Sequence, residues 1–194
     1  MLDSLLSLYL HFVDVSEAKT NACDPNSLIL KVEDLVNHKD YVTALPLALQ
    51  ALDVSEKAFG TNHLLVALPL NDLAYVYYEL GQYTNAEPIY LRALKIREET
   101  VGSNHLYTAT VLINMGNLYD RMNLFDQSLK SYQRGAIIFE TIYGPKSTEV
   151  GIVLKKIGWI KEEQGDFLSA QSTYMKAVEV LSSSLGYKTA FHKA

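Results

Sequence analysis

The feature of this sequence that most limits its fold is a period. Gly60, Gly102, Gly144 and Gly186 stand 42 residues apart, in the contexts FGTNH, VGSNH, YGPKS and LGYKT. A second series keeps the same step: Tyr41, Tyr83, Phe125 and Phe167, each followed three residues on by a small residue, Ala44, Ala86, Ser128 and Ala170. Seven residues beyond each leading aromatic come Ala48, Tyr90, Tyr132 and Tyr174, and three further on Ala51, Ala93, Gly135 and Ala177. A unit of this length cannot bury its apolar face alone, so neighbouring copies must stack into one continuous core.

Each period carries a further stripe ahead of the leading aromatic. Leu70, Leu73, Ala74 and Tyr77 lie at i, i+3, i+4 and i+7, one face of a helix. The stripe returns as Leu112, Met115, Gly116 and Tyr119, then as Leu154, Ile157 and Gly158 with Lys161 in the tyrosine's place. In the first copy the positions hold Leu28, Lys31, Val32 and Leu35, a half-degenerate version of the kind terminal repeats tolerate. Small residues opposite tyrosines predict two helices in close approach. Gly81 and Gly165 mark the reversal between the helices, with Asn123 as the substitute in the third copy. Pro46 and Pro88 hold equivalent places, and because a proline deep in a helix costs on the order of 3 kcal/mol, both are expected close to the first turn.

With these residues laid out, the sequence resembles the tetratricopeptide repeat family, in its 42-residue kinesin-light-chain-like branch. The resemblance is carried by NDLAYVYYELGQYTNAEPIYLRALKIREETVGSNH, Asn71 to His105, with looser third and fourth copies, and it covers the register from Leu28 onward. It implies an all-α, right-handed superhelical solenoid of antiparallel helix pairs, first helices lining a concave groove and second helices outside. Four tetratricopeptide-type repeats plus an N-terminal helix make one domain over 1–194. Its parts are an N-terminal helix and linker at 1–25, a degenerate first repeat at 26–63, and further repeats at 64–105, 106–147 and 148–189. Kinesin light chains also carry an N-terminal heptad region, which this sequence does not show, so a motor subunit is not expected.

Composition narrows the partners. A formal net charge of -5 and a pI near 5.5 disfavour nucleic acid and anionic membrane, both of which call for a basic surface. Cys23 is the single cysteine, so neither an internal disulfide nor a thiolate cluster can form, and a reducing, cytoplasmic compartment fits, with mitochondrion or cilium left open. No run approaches the roughly 20 apolar residues of a membrane span. The sequence has no GxxxxGK[ST], HExxH, GxSxG or CxxC, and the turn glycines have a geometric purpose, so no enzyme, cofactor or metal is expected. His63 and His105 occupy equivalent turns in separate repeats, too far apart to share a metal, and are expected to cap the turns.

If Leu70, Leu73, Ala74 and Tyr77 face the core, Asn71, Tyr75 and Tyr78 turn the other way, towards the groove. Shifted by one and two repeats, the same wall gives Asn114, Asn117 and Arg121, then Lys155, Lys156 and Trp159. Asparagine amides can pair with an extended backbone, aromatics can pack side chains, and cations can meet a carboxylate. Kinesin-light-chain-like repeats take acidic peptides with an aromatic anchor, and the resemblance implies something similar, diluted by Asp72, Glu79, Asp120, Glu162 and Glu163. Trp159, the only tryptophan, is covered either by a partner or by a neighbouring helix.

Leu2, Leu5, Leu6, Tyr9, Phe12 and Val13 predict an amphipathic helix over Met1 to Val15 that caps the first repeat, and the absence of basic residues there disfavours a membrane-surface role. After Leu185 too few residues remain for another helix pair, which leaves the last repeat without a cap and offers a surface for self-association or complex assembly. Two functions follow as expectations: a non-catalytic adaptor that holds a protein or peptide in the groove, and a structural subunit built into a larger assembly through its outer faces and uncapped end.

Overall fold

The computed structural model describes residues 24–184, which form eight α-helices in four antiparallel pairs. The pairs are α1 (Pro25–Asn37) with α2 (Tyr41–Phe59), α3 (Ala67–Glu79) with α4 (Tyr83–Thr100), α5 (Leu106–Arg121) with α6 (Phe125–Tyr143), and α7 (Thr148–Glu163) with α8 (Phe167–Ser184). A single turn of 3-10 helix at Leu64–Val66 leads into α3. Each helix packs on its chain neighbours, and α1 with α3 and α3 with α5 also touch one repeat over, as in a solenoid. No strand occurs among the described residues. The helix expected at Met1 to Val15 lies outside them.

Within a pair, small residues on one helix receive tyrosines from the other. A Cβ on Gly116 would stand 2.5 Å from the Tyr132 ring, and one on Gly158 would stand 2.8 Å from Tyr174. Both glycines are required by contact and not by backbone conformation. Tyr90 and Tyr132 are fully buried. Ser128, at the small position of α6, donates its hydroxyl to the Gly116 carbonyl at 2.8 Å, so the polar substitute is satisfied inside the core. Lys161, where the second and third copies have tyrosine, donates to Thr173 Oγ1 at 3.0 Å.

The turns inside the pairs are alike. The Gln82 amide reaches back to the Tyr77 carbonyl at 2.8 Å, and Leu124 reaches Tyr119 at 2.8 Å, with the intervening Gly81 and Asn123 in the left-handed region at φ 74 and 57. Lys39 takes the same conformation in the first copy, φ 59, which the sequence pattern did not indicate. Between the pairs, His63 and His105 accept backbone N–H groups from Leu65 and Tyr107 through Nδ1 at 3.2 Å, and Ser147 caps α7 at the equivalent place.

Pro46 and Pro88 are the sixth residues of α2 and α4, just past the first turn. Both prolines are exposed, as are Val42 and Thr84 four residues earlier, so the carbonyls left without an N–H partner face water. In α1 the buried stripe runs through Leu28, Ile29 and Val32, with Lys31 exposed. In this degenerate repeat Ile29 is buried where Lys31 is not, because a lysine at the core position would have to bury its charge.

Candidate partner-binding groove

The faces of α3, α5 and α7 that turn from the core are joined across repeats. Asn114 Nδ2 donates to Asn71 Oδ1 at 3.0 Å, Arg121 Nε donates to the Tyr78 hydroxyl at 3.4 Å, and Lys156 Nζ donates to Asn117 Oδ1 at 2.7 Å. Asn117 Oδ1 also accepts from the Tyr132 hydroxyl at 2.7 Å, which ties the wall to the core tyrosine beneath it. Tyr41, Tyr75, Tyr78 and Tyr83 form a run of ring contacts with centroids 5.9 to 6.4 Å apart.

Two cavities open along this wall. The first, about 740 Å³, has Asn71, Tyr75 and Asn114 on its wall, with apolar surface from Val32, Val36, Leu65 and Leu106. The second, about 470 Å³, is bordered by Tyr78, Asn117, Arg121, Lys156 and Trp159. Eight of the nine residues expected to face a groove thus fall on one or other cavity. Lys155 borders neither and is exposed beside them. Trp159 is 47% exposed, so the neighbouring helices do not cover it.

Charge in the two cavities differs. Burial pushes the Lys156 ammonium below its ordinary range, with Lys155 adding to the effect and Asp120 opposing it. The Tyr78 hydroxyl holds the Arg121 guanidinium firmly protonated. The first cavity contains two residues that the pattern of the wall did not select, Asp72 and Arg97. Arg97 is only 5% exposed, stacks over the Tyr107 ring with its guanidinium carbon 4.7 Å from the centroid, and has no hydrogen-bond partner at Nε. Asp72 is half-buried as a residue, but its Oδ2 is sealed from solvent and has no partner either. Burial raises its carboxyl to about 7, reinforced by Glu33 and opposed by the Asn71 amide and Arg97. A signal for Arg97 was present in the period: its register position is Ser55, Phe139 and Leu181 in the other copies, an inward-facing column where a cation stands out.

Among the described residues no cluster of three or more His, Cys, Asp or Glu side chains could hold a metal, and no helix is long and apolar enough to cross a membrane.

A family profile described as tetratricopeptide repeat matches residues 32–84 and 65–141, and a second profile of the same description matches 156–180. The chain belongs to the tetratricopeptide repeat family. No curated protein sequence matches it. Among solved structures it is similar to BtubC (BKLC) from P. vanneervenii, with 20% identity over 99% of this chain and 78% of that one and a TM-score of 0.78. A Podosopora anserina chain of nearly identical TPR-like repeats, described as kinesin light chain, aligns at 12% identity, with 95% and 85% of the two chains covered and a TM-score of 0.71. The apo form of RapI aligns at 14% identity over 95% of this chain and 65% of that one, TM-score 0.74. These likenesses concern the fold. Tetratricopeptide repeats are protein-interaction scaffolds, and this tetratricopeptide chain is one in that general sense.

Proposed function

We propose that the chain is a non-catalytic adaptor that holds an extended segment of a partner protein along α3, α5 and α7. The observation that carries this reading is the wall itself: amides, tyrosines, cations and one half-exposed tryptophan lie along two adjoining cavities, with no residue of this chain filling them among those described. An indole exposed to that extent in a concavity is a contact in waiting, since its apolar area gains most from cover. The second cavity, where Arg121 and Lys156 share the lining with Asp120 and Glu163 and Trp159 stands half-exposed, suits a segment with an aromatic residue and an acidic one placed against the two cations. A reducing compartment such as the cytosol agrees with the single cysteine.

A photo-crosslinking residue at Trp159 and another at Val42 on the outer surface test this reading. The partner should crosslink from Trp159 and not from Val42. Crosslinks from Val42 alone would sink the groove reading.

A second reading rests on a separate observation. On α8, the last described helix, Phe167, Leu168, Met175 and Val178 are 68, 83, 67 and 62% exposed, a large apolar face. A structural subunit would join its assembly, or a second copy of itself, through that face.

A further inference from the structure

We infer that residues 1–15 of one copy lie along α8 of a second copy, in the place that the first helix of a following repeat would take; this deepens the second reading above by naming what covers that face. Repeats stack here through one recurring pair of stripes. Phe125, Tyr132 and Ala136 of α6 share a core cluster with Val153, Ile157 and Ile160 of α7, an i, i+4, i+7 set on the first helix of the next repeat. In the same columns, Tyr83 and Leu94 of α4 pack on a cluster that holds Val111, Met115 and Leu118 of α5. One period further on, α8 carries Phe167, Tyr174 and Val178. Phe125 is half-buried and Ala136 is 8% exposed, whereas Phe167 and Val178 stand mostly in solvent. α8 thus keeps a stacking stripe with nothing stacked on it among the described residues, and Leu168 and Met175 extend it outward.

The sequence ahead of α1 carries the matching stripe. Leu5, Tyr9 and Phe12 are spaced i, i+4 and i+7, like Val153, Ile157 and Ile160, and Asp3, Ser7, His11 and Asp14 fall on the opposite side of a helix. Its own first repeat offers these residues little. At the columns of Val111, Met115 and Leu118, α1 has Ser27, Lys31 and Asp34, a polar face where the segment is apolar. The α8 of the same chain is three pairs along from α1, roughly 30 Å at helix-packing distances. Residues 16–23 span at most about 29 Å fully extended, which leaves no slack for laying the segment along that helix. A second copy meets no such limit. The contact is heterologous, since each copy gives a segment and receives another on α8, so association runs past the dimer into rings or filaments.

Full chains in sedimentation velocity test this. The parent should gain mass with concentration, beyond twice that of one chain. Leu5→Glu with Tyr9→Glu alters only the segment, Phe167→Glu with Val178→Glu alters only α8, and each pair should weaken association at least about a hundredfold by placing charge in an apolar contact. Mixed in equal amounts, the two variants should form a dimer that grows no further, because one intact segment meets one intact α8. Should a variant fail to fold by circular dichroism, benzoylphenylalanine in place of Val178 decides: it should crosslink to residues 1–15 in a species of twice the chain mass. Segment variants that associate like the parent while α8 variants do not would overturn the inference and leave the second reading standing with another occupant. A parent monomeric throughout, or a crosslink confined to one chain, overturns it as well and leaves α8 to a different subunit. If the α8 variant associates like the parent, the inference falls together with self-association through that face.

Discussion

At the scale of single residues, Asp72 shows how a solenoid wall can hold a charge at a cost. Its carboxyl is raised to about 7 from an ordinary 3.8, first by burial and then by Glu33. A carboxyl whose folded value lies above its unfolded one favours the fold when protonated, so this contribution is full below pH 4 and is lost as the pH climbs to about 7. Asp72→Asn cannot ionise. Its stability relative to the parent, from urea unfolding, should improve by about 2 kcal/mol between pH 5 and pH 7.5 and stay level above that. A difference independent of pH would show that the carboxyl is not held in that way. Gly116 makes the opposite case, a residue defined by contact. Gly116→Ala gains helix propensity but pushes a methyl against Tyr132, which cannot swing aside because its ring is buried and its hydroxyl is bonded to Asn117. A net loss of about 1 to 3 kcal/mol in urea unfolding is expected, whereas an unchanged midpoint would mean that the ring has room. Such small-for-tyrosine pairs were legible from spacing alone. The pattern does not single out Arg97 and gives Asp72 only as a charge that dilutes the groove, because a hydropathy stripe records what faces the core and does not record which polar side chain is left without a partner.

At the scale of elements, an all-α repeat was legible because the stripe, the leading aromatic and the turn residue recur together. The pattern also identified Asn123 as the stand-in for glycine, and the residue takes φ 57. Asn123→Ala should lower stability by about 1 kcal/mol, because alanine lacks the side-chain amide that eases this conformation, and Asn123→Gly should cost nothing. Equal losses in thermal melts would mean that the turn does not depend on that conformation. Pro46 and Pro88 stand just past the first turn of their helices. Propensity says what a proline costs in a dry helix, yet here the freed carbonyls of Val42 and Thr84 lie on the solvent side, where water completes them. The burial of Ile29 in α1 has a similar origin: the period indicates the register, and only packing decides which neighbour of Leu28 and Val32 completes a half-degenerate stripe.

At the scale of the whole molecule, α8 presents an exposed apolar face that a partner surface could cover. If it joins copies, Leu168→Glu with Met175→Glu should abolish any concentration-dependent mass seen in sedimentation velocity without lowering helicity. A parent chain that stays monomeric at high concentration removes that role. The groove has a further property, which comes from its cross-repeat bonds. Asn71 with Asn114, Tyr78 with Arg121 and Asn117 with Lys156 are at once the exposed vocabulary of the wall and the stitches between successive repeats. A guest that claims one of these groups unpicks a stitch, so reading the guest and setting the pitch of the coil are the same act. If a guest displaces one of these bonds, small-angle scattering of the filled and empty protein should register a change in the length of the coil, and identical curves would show that the stitches hold.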